Sequence, residues 1–312
     1  MEPLIITGSA HPSLAAATAR ELQSKVVACL VQSFPDGEQR VELQGNVRGR
    51  PVFIVQPLGA PVGEHLLELL LIADACRRCG AGPVSAVLPY VGYARQDRIG
   101  KEGQPLAARV LADVLGTGAF SQVLAVDLHS PVVASCVAAP VAHLTAIPAI
   151  VDALRPGVRE DAVVVSPDLG AVKLAESYAQ PLGLPLAVVH KVRISGTQVV
   201  VRKVVGDVYD KRPILVDDMI STGATIHAAV DALLAQGCRP EITVAATHGL
   251  FVAESADRLG RPEVVRSIVT DSLPPPRRVP ARLKVVALGP LFAEAIRRIA
   301  SGRALDQLLA AR

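Results

Sequence analysis

Residues 216–225 read Val-Asp-Asp-Met-Ile-Ser-Thr-Gly-Ala-Thr. Two adjacent carboxylates, Asp217 and Asp218, repel one another, and burying both is costly. They make sense where they accept hydrogen bonds from sugar hydroxyls or face a metal. The next residues, Ser221, Thr222, Gly223, Ala224 and Thr225, supply hydroxyls and closely spaced backbone N–H groups. Gly223 lets a ligand approach the backbone, and a helix starting here would add positive potential. The stretch therefore reads as an anion cradle beside an acid pair, leaving a strand and entering a helix.

Other stretches carry chemistry less specifically. Phe34-Pro35-Asp36-Gly37-Glu38 contains an aromatic ring able to stack on a base and two carboxylates able to accept from an exocyclic amine. Taken alone it is also an ordinary Asp-Gly turn. Residues 89–98, Pro-Tyr-Val-Gly-Tyr-Ala-Arg-Gln-Asp-Arg, follow a strand pattern directly. Arg95 and Arg98 there offer planar forks suited to phosphate. His129 and Asp168 each close a strand pattern, Val123 to Val126 and Val163 to Val165. Lys191 and Arg193 stand one residue apart, so they project from one side if the stretch is extended.

The elements that must position these residues form an α/β pattern. Val52–Val55 predicts a strand and Glu64–Cys79 a helix with Leu66, Leu67, Leu70 and Ala73 at helical spacing; Val84–Leu88 is the next strand. Ile214–Val216, Thr225–Cys238 and Ile242–Ala245 repeat that order, with Ala229, Leu233 and Leu234 inward. Two strand–loop–helix–strand units of similar length suggest an internal duplication. Parallel crossovers place ligands at the carboxyl ends of the strands. The expected organisation is 1–145 and 146–312, with the boundary near His143–Pro148, where a helix Ala149–Leu154 follows. Leu291–Ile299 and Ala304–Ala310 read as closing helices, the last of them a candidate to pack on the first domain. Residues 274–278, Pro-Pro-Pro-Arg-Arg, read as a surface loop.

Bulk properties restrict the partners. A net charge of +3 without a dense basic stripe does not suggest nucleic-acid binding. The apolar run Leu66–Ala73 is interrupted by Glu68, so no membrane span is expected, and no targeting segment is visible. Five cysteines at irregular spacing do not form a disulfide framework. Cys76 and Cys79 form a C-x-x-C without a second ligand pair, which favours small residues near a helix end over zinc or redox chemistry. A reducing cytoplasm is expected.

The run from Pro89 to Arg98, the Phe34–Glu38 segment and the Asp217–Thr225 stretch together resemble the ribose-phosphate diphosphokinase, or phosphoribosyl pyrophosphate synthetase, family. The resemblance extends through Asn46–Gly49, Glu68–Leu70, Asp127–His129, Val165–Asp168, Gly206–Val208, Ala246–Gly249 and Thr270–Ser272. It implies two phosphoribosyltransferase-type domains, each a mostly parallel sheet flanked by helices. It implies an enzyme that moves the β,γ-diphosphate of ATP to ribose 5-phosphate with Mg²⁺. On the matching positions, ATP binding falls to Phe34, Asp36, Gly37, Glu38, Arg95 and Gln96. The ribose hydroxyls fall to Asp217 and Asp218, the 5-phosphate to Ser221–Thr225, and Mg²⁺ to His129 and Asp168. Lys191 and Arg193 become catalytic, with Arg193 also facing ribose 5-phosphate. The family further implies a homo-oligomer, a dimer or a hexamer built from dimers. The chain departs from the family's usual residues at Ser130–Cys136, Ala171, Leu174, Val192, Ser221 and Ala224. A phosphoribosyltransferase and a non-catalytic regulatory homologue therefore remain as alternatives.

Overall fold

A computed structural model describes residues 2–193, 199–276, 278, 280 and 282–310; residues 131, 191–193 and 199–202 are described in backbone alone. The chain divides into two compact units. The first comprises Met1–Thr145, Ser272–Pro274 and Ala287–Arg312; the second comprises Ala146–Asp271 and Pro275–Val286.

The first unit runs β1 (Leu4–Thr7), α1 (Pro12–Leu22), β2 (Val26–Val27), β3 (Cys29–Ser33), β4 (Gln39–Leu43), β5 (Val52–Val55), α2 (Val62–Arg78) and β6 (Val84–Leu88). It continues through α3 (Ala107–Thr117), β7 (Gln122–Val126), α4 (Pro131–Cys136) and β8 (Val141–Leu144). Its main sheet has the order β2-β1-β5-β6-β7-β8 and every pairing in it is parallel. β5 and β6 are buried at every position, as strands covered on both faces must be. β3 and β4 form a separate antiparallel hairpin.

The second unit runs α5 (Ile147–Leu154), β9 (Ala162–Ser166), α6 (Val172–Leu182), β10 (Leu186–Arg193), β11 (Val199–Val205), β12 (Arg212–Ile220) and α7 (Ala224–Ala235). After it come β13 (Ile242–Gly249), α8 (Ser255–Leu259), β14 (Val264–Thr270) and β15 (Leu283–Val286). The order is β11-β10-β9-β12-β13-β14-β15, with β11 added antiparallel at the edge. Without β11, the two sheets have the same wiring. Each chain segment starts on the second strand, returns by a helix to the edge, leaves the parallel sheet, and re-enters it at the third strand. The duplication suggested by the sequence is thus present in the topology.

Several boundaries differ from the sequence reading. α2 buries Glu68, Leu69, Ile72, Ala73 and Cys76, while Leu67 is 51% exposed. The run is apolar around most of its circumference, so periodicity does not fix its phase; Leu66 and Leu70 only flank the core. β12 continues through Ile220, so Asp217 and Asp218 lie in a strand rather than in a loop. α7 starts at Ala224 and stops before Gly237, whose φ of 76° ends the helical path.

Ala304–Ala310 is not a helix. Gly302 has a φ of 68°, and a short 3₁₀ turn spans Asp306–Leu308. The backbone there bonds to the strand beside it: Thr145 N donates to Leu308 O at 2.9 Å and Ala310 N to His143 O at 2.8 Å. A closing helix, α9 (Gly289–Ala300), precedes this turn and packs in the first unit against α1. A Cβ on Gly289 would stand 3.2 Å from the Ala17 Cβ, so a small residue permits the close crossing.

Candidate active site

Asp217 and Asp218 stand near the carboxyl end of β12, where Asp217 pairs with Ala246 and Met219 with His248 of β13. Asp218 N donates to Asp217 Oδ1 at 2.9 Å. Burial, then the neighbouring carboxylate of Asp218 and more weakly that of Asp168, push the Asp217 carboxyl well above the usual carboxylate range. Asp168 follows β9, the adjacent parallel strand. Its Oδ1 accepts from Gly170 N at 2.9 Å and Ala171 N at 3.2 Å, capping the short turn after it. The fold therefore gathers three carboxylates of the second unit at the ends of two adjacent strands, as parallel α/β sheets gather ligand-binding groups.

Three residues, Ser221, Thr222 and Gly223, separate β12 from α7, and the chain turns at Gly223, whose φ of 74° lies in the left-handed region. Thr222 Oγ1 accepts from Ala224 N at 3.4 Å. Ser221, Thr222 and Thr225 are partly exposed and Ala224 is exposed, so the start of α7 is open. Phosphate is favoured there by helix N–H groups and by the helix dipole.

The equivalent strand ends in the first unit are closed by the protein's own side chains. After β1, Ser9 N and Ser9 Oγ both donate to the carboxylate of Glu68, which is fully buried. Ala10 N donates to Gln56 Oε1 at 3.2 Å, and Gln56 Nε2 donates to the His65 carbonyl at 3.3 Å. A Cβ on Gly8 would come within 2.1 Å of Gln56 Oε1. A carboxylate of the chain itself thus takes backbone and hydroxyl donors at this end of the first sheet.

Phe34 is 48% exposed on the β3–β4 turn. That turn is fixed by Phe34 N donating to Glu38 O, Gly37 N to Phe34 O, and Glu38 N to Asp36 Oδ1. Gly37 has a φ of 93° with open space around it. Arg95 and Gln96 are exposed in the segment after β6, anchored by buried Tyr90, Val91 and Ala94. Gly92 packs so tightly that a Cβ would stand 2.6 Å from the Leu58 carbonyl. Both groups belong to the first unit but to different segments of it.

His129 is exposed just beyond β7. The turn before it contains Asp127 at φ 36°, and Leu128 N donates to Nε2 of His143 at 2.8 Å. Burial pushes the His143 imidazolium below its ordinary pKa, opposed by the Asp127 carboxylate. The accepting Nε2 assigns the neutral ring with its proton on Nδ1. His129 and Asp168 fall in different units. Among the described residues no group of three or more His, Cys, Asp or Glu is set to hold a metal. Mg²⁺ ordinarily takes one or two carboxylates together with waters and substrate phosphates. A single carboxylate, that of Asp168, together with waters and substrate phosphates fits such a hard cation.

Lys191 and Arg193 lie on β10, after a register shift between His190 and Lys191. Their backbones are extended, and their side chains lie outside the described residues. Sequence reasoning did not single out Ser9, Gln56, His143 or Arg258. Each acts on a group distant in sequence, and nothing in its local pattern marks it.

A family model described as the N-terminal domain of ribose phosphate pyrophosphokinase matches residues 3–118. One described as the phosphoribosyl synthetase-associated domain matches residues 193–310. The chain is 38% identical over 305 residues to a ribose-phosphate pyrophosphokinase of Aquifex aeolicus, covering 97% of this chain and 98% of that one. It is 40% identical over 298 residues to one of Gloeobacter violaceus, covering 95% and 89%. The crystal structure of a phosphoribosylpyrophosphate synthetase from Mycobacterium smegmatis is similar with a TM-score of 0.90 at 37% identity, over 97% of this chain and all of that one.

Proposed function

The chain belongs to the ribose-phosphate pyrophosphokinase family, and we propose that its reaction joins the β,γ-diphosphate of ATP to the anomeric hydroxyl of ribose 5-phosphate. The observation that carries this reading is the acid pair at the end of β12 running directly into the open, Gly223-turned start of α7. A sugar phosphate presents hydroxyls to the first and an anion to the second.

The anomeric oxygen attacks the β-phosphorus, and the bond from that phosphorus to the α,β-bridging oxygen breaks. The hydroxyl proton is released and AMP leaves. Asp217 and Asp218 accept from the ribose hydroxyls, and Ser221–Thr225 hold the 5-phosphate. Phe34 stacks on the adenine, Asp36, Gly37 and Glu38 flank it, and Arg95 and Gln96 reach the ATP phosphates. Lys191 and Arg193 stabilise charge that grows on the transferred group. His129 and Asp168 would hold Mg²⁺, which when bound supplies neutralisation of the phosphate oxygens.

Among the described residues no helix is long and apolar enough to cross a membrane. We place the protein in the cytoplasm, which the free cysteines support, and as a homo-oligomer, to be measured by light scattering.

The test is to incubate the pure protein with ATP, Mg²⁺ and ribose 5-phosphate. AMP release that requires the sugar is the expected result. Its absence, or AMP release without the sugar, would overturn the reading. Lys191→Ala should lower turnover roughly 10²–10³-fold, in the range of a lost transition-state donor.

A further inference from the structure

The residues after β12 are held from one side by a single segment, 250–258. Ile220 O accepts from Leu250 N at 2.9 Å and from Phe251 N at 3.1 Å. Ser221 O accepts from Val252 N at 3.2 Å. Thr222 O accepts from Nη1 of Arg258 at 2.8 Å. Three successive carbonyls are therefore drawn toward the same segment. In an extended strand successive carbonyls alternate, so this is a departure from strand geometry.

The peptide unit is planar and trans, with its N–H opposed to its C=O. Drawing the carbonyls of Ile220, Ser221 and Thr222 to one side turns the N–H groups of Ser221, Thr222 and Gly223 toward the other. Successive N–H groups turned to one side, ending on a left-handed residue, form an anion-binding concavity. The first two carbonyls are held by backbone, which any sequence supplies. The third, on the peptide that carries the Gly223 N–H, is held by a side chain. Arg258 is itself fixed, since its Nη2 donates to Glu254 Oε2 at 2.8 Å and its guanidinium is partly buried. Gly223 also packs under it, its added Cβ standing 3.4 Å from the Arg258 Cβ.

We propose that Arg258 is a positioning residue for the phosphate cradle: it sets the Thr222–Gly223 peptide so that the Gly223 N–H faces the 5-phosphate. This rests on the reading of Ser221–Thr225 as the sugar-phosphate site. Arg258 acts through the backbone and does not touch the reacting atoms.

The test compares Arg258→Met and Arg258→Lys with the parent enzyme. Readouts are kcat, the KM for each substrate, the calorimetric Kd for ribose 5-phosphate, and the thermal midpoint. Arg258→Met should raise KM and Kd for ribose 5-phosphate about tenfold, the lower range for a lost charge-assisted hydrogen bond. The KM for ATP should stay within twofold. Arg258→Lys keeps a donor without the fork and should fall between. Unchanged ribose 5-phosphate affinity in Arg258→Met, or equal losses for both substrates, would overturn the proposal. If Arg258→Met does not fold, Arg258→Lys decides, unchanged affinity again overturning it. A parent enzyme that does not bind ribose 5-phosphate would instead refute the site itself, and the positioning role with it.

Discussion

Replacing Gly223 by alanine isolates one backbone conformation of the site. Two costs are possible, and the structure separates them. The first is steric. A Cβ at position 223 would meet the Arg258 Cβ at 3.4 Å, the Ser255 Cα at 3.6 Å and the Ser255 carbonyl at 3.7 Å, all ordinary contacts. The steric cost is therefore close to zero. The second is conformational, because φ is 74°. Holding a non-glycine residue in the left-handed region costs about 1–2 kcal/mol. The cradle needs that conformation to present its N–H groups, so the cost must appear either in stability or in binding. If the turn relaxes in the free protein, the phosphate has to restore it, and the KM for ribose 5-phosphate rises roughly 5–30-fold. If the turn holds, the thermal midpoint falls instead and the KM stays. Initial rates of AMP formation at varied ribose 5-phosphate and ATP, with calorimetric melting of the same variant, measure both. The summed loss should stay near 2 kcal/mol, with the KM for ATP unmoved. A variant with parental KM and parental stability would refute the link between this φ and the cradle. A loss well beyond that sum would mean that the contacts around Gly223 are tighter than described.

Asp217→Asn removes a carboxyl held above its usual range by burial and by its acidic neighbours. A raised folded pKa gives stability that is complete below the unfolded pKa and is lost as pH rises through the folded one. The variant should therefore melt higher than the parent at neutral pH, converge with it in acid, and lose affinity for ribose 5-phosphate. His143→Leu leaves the partly buried Leu128 N–H without its acceptor, and denaturant titration should show a loss of about 1 kcal/mol. In the parent, the lowered His143 pKa means that protons bind the unfolded chain first, so stability should decline as pH falls below about 6.5. A thiol reagent at pH 8 should modify exposed Cys79 ahead of Cys76 and Cys238, whose thiols burial pushes up to about 12 and about 11. Mass mapping before and after denaturation would check that order.

The strands, and the turn from β12 into α7, are legible in the sequence because each rests on local chemistry. Val52–Val55 and Val84–Leu88 are apolar runs bounded by Gly and Pro, and the cradle packs its functional groups into nine consecutive residues. The phase of α2 was not readable, because a run that is apolar nearly all round has no preferred face. Its orientation is set by Glu68, whose carboxylate must reach Ser9 from 59 residues away. The apolar run Ile214–Val216 marks only part of the strand, and the acid pair after it carries no strand signal of its own, since aspartate is depleted in strands. The pair stays in β12 because β13 continues to pair with that strand up to Ile220. The role of Arg258 is invisible in the sequence for the same kind of reason as the contact made by Glu68. It holds a carbonyl 36 residues earlier in the chain, in a contact that no local pattern records.

The return of residues 287–310 to the first unit gives protein synthesis a peculiar order of completion. The sheet of the second unit is fully translated once Val286 has left the ribosome, although it begins after residue 145. The first unit, begun earlier, still lacks α9 against α1 and the bonds that Thr145 and Ala310 make beside β8. Until residues 287–310 emerge, that strand edge lacks those bonds, and unpaired edges invite pairing with other chains. A chain cut at residue 286 would therefore injure the earlier-translated unit rather than the later one.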